Sequence, residues 1–178
     1  MFSSNTHFRI LSIDPGSNMC GFSVLDCSFA SGAITVIFSE TITARDVLVH
    51  KGPMLERFNE KTVKILGYAD RLASFISYFR PDVVVAEDSF FRRMPQPFRV
   101  LSELTFTFSR VVAECPVPLD FILIDPRTVK MAVGVSGGSK DKEDMRRALQ
   151  RIPDLSYING IKLHALDEHA VDSICVGL

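Results

Sequence analysis

Apolar and polar positions along the chain fall into blocks with two different periods. Residues 8–13 form an apolar run that reads as a first strand and stops abruptly at Asp14-Pro15-Gly16. Residues 20–26, Cys-Gly-Phe-Ser-Val-Leu-Asp, alternate and predict a second strand, and the β-branched stretch at 33–39 predicts a third. Short turns containing Gly16 and Gly32 separate them, as in an antiparallel meander. The period then changes. Phe58, Ile65, Ala69, Leu72, Ile76 and Phe79 recur at helical spacing, with Lys61, Lys64, Asp70 and Arg71 between them. This pattern predicts a long amphipathic helix ending at Arg80-Pro81. Residues 82–86 read as a strand covered on both faces, and a second helix is expected at about 98–114. Residues 119–124 predict a fifth strand, after which Asp125-Pro126 opens a short helix. A Gly/Ser loop at 134–139, a helix at about 141–151 and a last helix from about 168 complete the pattern. Three strands followed by alternating α and β elements predict an α/β protein: a five-stranded mixed sheet with helices on both faces. The absence of repeats or linkers predicts one domain over residues 1–178, with residues 1–7 a short polar extension.

Composition narrows the class. A chain of 178 residues with 47% hydrophobic and 23% charged residues can bury a real core and is far from disorder. The net charge of −1 provides no global attraction for a polyanion, so any nucleic-acid contact rests on a local patch. The four cysteines (Cys20, Cys27, Cys115 and Cys175) lie in apolar stretches without a C-x-x-C pair, and are expected as buried free thiols in a reducing compartment. No signal-peptide pattern opens the sequence and no apolar run approaches the roughly 20 residues of a membrane span, so a soluble intracellular protein with no membrane partner is expected.

Three apolar segments carry acids where strands have little use for them. Asp14 closes the first strand, Glu87 closes Val83-Val84-Val85-Ala86, and Glu168, His169 and Asp172 lie in the last segment. On a helical wheel these last three fall within about one third of the circumference. Ala170, Val171, Ile174, Cys175 and Leu178 fall opposite, and Asp167 sits as an N-cap. Taken singly, each has a plain explanation: a turn residue, a solvated strand end, a solvated helix face. Taken together, on elements able to adjoin in one sheet, they form a hard oxygen-rich donor set for divalent cations. A pair of such ions about 4 Å apart activates water and stabilises a leaving oxygen in phosphodiester hydrolysis. His169 suits ligation or proton transfer.

The same residues carry a family resemblance. Ile13-Asp14-Pro15-Gly16 with Gly21-Phe22-Ser23-Val24 resembles the opening of the RuvC-type Holliday junction resolvases. Val85-Ala86-Glu87-Asp88-Ser89-Phe90 is similar to their second acidic motif, and Val129-Lys130 with Gly138-Ser139-Lys140-Asp141-Lys142 to their Lys-rich loop. His169-Ala170-Val171-Asp172-Ser173 resembles their final motif, in the version that opens with His. The likeness spans roughly residues 8–178 in order and spacing. It implies an RNase H-like fold and a homodimer that binds a four-way DNA junction. It implies paired phosphodiester cuts, in DNA recombination and repair, that leave 3′-hydroxyl and 5′-phosphate ends. It implies Asp14, Glu87, His169 and Asp172 as the catalytic and metal-binding set, with two Mg²⁺ ions per site and Mn²⁺ as a substitute. The location it implies is the cytoplasm of a prokaryotic or phage-infected cell, in a divergent member. The chain departs from the family pattern in the extra acid Asp88, the Phe90-Phe91 pair followed by Arg92-Arg93, the N-terminal lead, the lack of a basic tail and the low basicity.

Compensating cations are expected from Arg92, Arg93 and Arg99, and from Arg127, Lys130, Lys140, Lys142, Arg146 and Arg147 around the Gly/Ser loop. For Arg146 and Arg147 a solvated helix face is an equal reading. Phe90, beside arginines, is placed to stack on an unpaired base; of the Phe90-Phe91 pair, one is expected in the core. The stripe of Phe98, Leu101, Leu104, Phe108 and Val111 or Val112 is wide enough for part of it to serve as a dimer interface. Two alternatives stay open: another RNase H-like nuclease acting on branched or flap DNA or RNA–DNA hybrids, and a non-catalytic nucleic-acid or nucleotide-binding module. The second lacks a Gly-rich phosphate loop after Asp14.

Overall fold

The computed structural model describes residues 6–49, 51–88, 95–139, 141, 143–158 and 160–178. Three strands, β1 (His7–Asp14), β2 (Met19–Ser28) and β3 (Ile34–Thr43), form the expected antiparallel meander. Two short helices follow, α1 (Ala44–Leu48) and α2 (Gly52–Leu55), and then the long helix α3 (Glu60–Phe79). Strand β4 (Val83–Glu87), helix α4 (Pro95–Ala113) and strand β5 (Asp120–Ile124) come next. The chain continues through α5 (Pro126–Ala132), α6 (Glu143–Leu149), a three-residue strand β6 (Leu155–Tyr157) and α7 (Glu168–Gly177). Strand order is β5-β4-β1-β2-β3-β6, with β4 parallel to β1, β5 to β4 and β6 to β3.

The sheet therefore has six strands, not five. Leu155-Ser156-Tyr157 is too short to display alternation, and pairing with the edge of β3 is what makes it a strand. The helices α1 and α2 also lie outside the expected pattern. They are single turns, and α1 is held by a reciprocal Thr43–Asp46 capping box rather than by an apolar stripe. Phe58 is not part of α3. Asn59 accepts a hydrogen bond from the Thr62 amide and caps the helix, which leaves Phe58 before it and exposed. At the other end Arg80 turns into the left-handed region ahead of Pro81. Helix α4 begins three residues earlier than the apolar stripe, because its first turn tolerates Pro95 and Pro97.

Strand alternation divides the core into two layers. Leu11, Ile13, Phe22, Val24, Val84 and Ala86 face α3 and α4, joined by Tyr68, Leu72, Leu104 and Phe108. Val83 and Val85 face the other way, against α5, α6 and α7 with Val129, Leu149, Val171 and Ile174. Helices thus cover both faces. Of the α4 stripe, Leu104, Phe108 and Val112 belong to this core. Cys20 and Cys175 are buried free thiols, whereas Cys27 and Cys115 are only half-buried because each lies at an element's end. Among the described residues no helix is long and apolar enough to cross a membrane.

Candidate active site

Parallel pairing of β1 with β4 brings two acids to one sheet end. Ile13 pairs with Ala86, so Asp14 and Glu87 occupy the next step of the two strands. Asp14 shares a face with Ile10 and Ser12, and Glu87 with Val83 and Val85, the face on which α7 packs. On the other side of β1, Asp14 pairs with Gly21 of β2. A Cβ at Gly21 would stand 2.0 Å from the His169 carbonyl oxygen, so a bare backbone at this rung is what lets the first turn of α7 settle beside Asp14. Gly177, close against Ser12 and Leu25, does the same near the other end of the helix.

Helix α7 starts where expected. Asp167 caps it, accepting from the Ala170 amide at 3.0 Å, and also accepts from the Thr41 hydroxyl of β3 at 2.5 Å. Its inner face buries Ala170, Val171, Ser173, Ile174 and Cys175. His169 turns toward β1, where its Nδ1 lies 2.6 Å from Oδ2 of Asp14. That hydrogen bond, with the negative charges of Asp14, Glu168 and Asp167, holds the imidazole above its ordinary value against the opposing effect of burial. Asp172 is pushed up to about 7, first by burial and then by the neighbouring charges of Asp14 and Glu168, with His169 and Lys130 acting in the opposite sense.

Asp172, Glu168 and Glu87 together line an open cavity of about 450 Å³, walled by Lys130, Met145 and the Gly137–Ser139 loop. Lys130 donates to the Ser139 carbonyl at 2.8 Å and so ties that loop to α5. The structure thus joins the four expected residues in two pairs: Asp14 with His169 directly, and Glu87 with Asp172 across the cavity. Glu168 completes the acidic wall. Among the described residues no three His, Cys, Asp or Glu side chains converge into a ready metal cage. The donor set still fits a hard divalent cation, because a carboxylate pushed up to about 7 by burial and by negative neighbours gains from any positive charge placed beside it.

Other expected residues fall elsewhere. Phe90, Phe91, Arg92, Arg93, Lys140 and Lys142 lie outside the described residues. Asp88 belongs to a different groove, with Ser102, Phe106, Phe121 and Leu123. Arg146 is engaged by the Leu163 and Leu166 carbonyls and by Glu143, so it braces the segment before α7. Arg147 pairs with Asp141 and Asp144. Arg99 pairs with Glu103. Residues not singled out from the sequence also shape the site: Thr41 on the helix cap, and the buried hydroxyls of Ser12, Ser23 and Ser173 beneath α7. Their sequence signal is a hydroxyl inside an otherwise apolar strand or helix face, and Ser23 and Ser173 also stand in the motifs that carry the resemblance.

A mixed sheet whose first and fourth strands end in acids, faced by a helix that brings more, is the RNase H-like fold. The family model described as crossover junction endodeoxyribonuclease RuvC matches residues 10–176, and the chain belongs to that family. A curated relative, the crossover junction endodeoxyribonuclease RuvC of Thermomicrobium roseum, is 25% identical over 149 residues, covering 83% of this chain and 82% of the relative. Among solved structures, Thermus thermophilus RuvC in complex with Holliday junction substrate superposes with a TM-score of 0.68 at 18% identity, over 96% of this chain and 90% of that one. The yeast mitochondrial Holliday junction resolvase superposes with a TM-score of 0.66 at 15% identity, over 96% and 76%. At these identities the two structures speak for the fold.

Proposed function

We propose that this protein resolves four-way DNA junctions by metal-dependent hydrolysis of paired phosphodiesters, acting as a homodimer with Asp14, Glu87, His169 and Asp172 at each site. Family membership supports the endodeoxyribonuclease activity. The observation that carries the site assignment is the Asp14–His169 bond at the end of β1, beside a cavity lined by Glu87, Glu168 and Asp172. Asp14, Glu87 and Asp172 would hold Mg²⁺, or Mn²⁺ in its place, two ions per site. When bound, such ions polarise the phosphate, lower the pKa of a water and neutralise the leaving oxygen.

The protein's own groups then have separate tasks. Asp14 occupies Nδ1 of His169 and fixes the tautomer, which leaves Nε2 to hold or hand over a proton. Lys130 sets the Gly137–Ser139 loop as a wall of the cavity and adds positive charge opposite Asp172. Glycine at 137 and 138 keeps that wall low enough for a DNA backbone to approach. The cut leaves 3′-hydroxyl and 5′-phosphate ends.

The test is cleavage of a labelled four-way junction against duplex, flap and RNA–DNA hybrid, with and without Mg²⁺. The junction should be cut in pairs and only with the metal. Asp14→Asn or Asp172→Asn should lower cleavage by more than about 10²-fold while junction binding persists. Retained cleavage in either variant would remove that residue from the site, and preference for flap or hybrid would replace the substrate.

A further inference from the structure

Helix α7 does not rest on the sheet through apolar contacts alone. Three hydroxyls form a continuous path beneath its first turns. Ser23 of β2 lies 2.6 Å from the Ser173 hydroxyl and 2.9 Å from that of Ser39 on β3. Ser39 reaches the Ala170 carbonyl at 3.3 Å, and Ser173 reaches the same carbonyl at 2.9 Å. Each hydroxyl has one proton to give. If Ser173 donates to Ser23, Ser23 to Ser39 and Ser39 to the Ala170 carbonyl, every proton is placed and the path ends on the helix backbone. One step further along β3, Thr41 donates to the Asp167 cap of the same helix. Ser23 and Ser173 are fully buried.

This arrangement is costly as mere packing. Apolar side chains of similar volume would fill the same space without burying hydroxyls. What the hydroxyls add is direction. The Ala170 carbonyl and the Asp167 cap flank Glu168 and His169, so the path grips the backbone on either side of the residues that face Asp14. Gly21 removes the side chain that would keep the helix away, and the hydroxyls then fix where along the strand it stops. Both contacts come from β3, which is tied through Ser23 to β2, the strand beside β1.

We propose that Ser23, Ser39, Ser173 and Thr41 are positioning residues: a hydroxyl rail that sets the register of α7 on the sheet and thereby holds His169 and Asp172 against the Asp14 end of β1. The proposal rests on the site assignment above. None of the four needs to touch DNA or a metal ion.

The experiment uses the full chain and two readouts besides stability. One is kcat and KM for four-way junction cleavage in Mg²⁺; the other is the affinity of the DNA-free protein for Mn²⁺ by isothermal titration. Ser23→Ala and Thr41→Val should each lower kcat and weaken Mn²⁺ binding by about 10- to 100-fold, the range found when groups that orient metal ligands are removed. Junction affinity without divalent ions should stay within about twofold of the parent, because the charged surface is untouched. Thr41→Ser, which keeps the hydroxyl, should recover both readouts. Ser39→Ala, at a half-buried position, stands in if Ser23→Ala does not fold. Unchanged kcat and Mn²⁺ affinity in folded Ser23→Ala and Thr41→Val would overturn the rail. So would a Thr41→Ser variant as impaired as Thr41→Val, since the hydroxyl would then be irrelevant. Failure of the parent protein to cut junctions would sink the substrate reading instead, and the Mn²⁺ titration would still decide the rail.

Discussion

Asp172 holds its charge under strain from its surroundings. Burial and the charges of Asp14 and Glu168 raise it from 3.8 to about 7, and the Asp14 bond raises His169 as well. A folded-state value above the unfolded one means stability that is complete at low pH and lost as pH rises. For Asp172 that loss runs from about 4 to 7, and for His169 it begins near 6.5 and continues through its elevated value. Both act in the same direction. Metal-free protein should therefore be more stable to urea at pH 5.5 than at pH 8 as far as these two groups contribute. Asp172→Asn should reduce that difference and raise stability at pH 8 by about 1–2 kcal/mol. Binding of Mn²⁺ at pH 6.5 should release protons, seen as a binding heat that depends on the buffer's ionisation enthalpy; Asp172→Asn should release fewer. At this scale the sequence was informative about type and less so about pairing. Asp14, Glu87, His169 and Asp172 stand out because acids interrupt apolar segments. That His169 meets Asp14, while Glu87 and Asp172 share a cavity, depends on the step of β1 against β4 and on the seat of α7, which no local pattern encodes.

Elements with strong periodicity were legible and those defined by pairing or capping were not. The β1–β3 meander, α3, β4 and α7 follow from apolar or alternating runs or from the 3.6-residue stripe. Strand β6 exists because β3 offers it an edge, and α1 because Thr43 and Asp46 cap each other. The placement of α7 is set at the contact with β2, where glycine is required by the approaching helix rather than by its own backbone. Gly21→Ala places a methyl against the His169 carbonyl, an obstacle that only movement of α7 can relieve. It should cost about 2–4 kcal/mol in urea denaturation. At temperatures where the variant is still folded, cleavage should fall more than junction binding does. A variant with parental stability and activity would show that α7 sits farther from β2 than this geometry allows.

For the molecule as a whole, charge and surface pattern point in different directions. The net charge of −1 and the acidic cavity repel DNA, so binding depends on local cations and on the metal that the acids hold. The apolar surface is more telling. Phe106 of α4 is 67% exposed and borders a groove with Phe121 and Leu123 of the edge strand β5. Among the described residues β5 is an edge strand, and an exposed aromatic beside it would suit the second copy of the chain that the proposed paired cuts require. Phe106→Glu should convert the proposed dimer into a monomer in light scattering of the eluting protein. It should also turn paired cuts into single nicks on a supercoiled cruciform substrate. A dimer that survives the change would move the interface away from α4. The sequence pointed to this helix through its apolar stripe, but Leu104, Phe108 and Val112 of that stripe are spent on the core.

The Asp14–His169 bond joins residues 155 positions apart, and α7 follows every strand in chain order. Closing so long a loop is entropically costly and slows folding. During synthesis the strands carrying Asp14 and Glu87 leave the ribosome well before His169 and Asp172 exist. A nascent chain therefore carries half of its acids and no assembled site. On the proposed site assignment, a stalled or truncated product that lacks residues 168–177 carries Asp14 and Glu87 without their partners, and should bind Mn²⁺ weakly and leave junctions uncut.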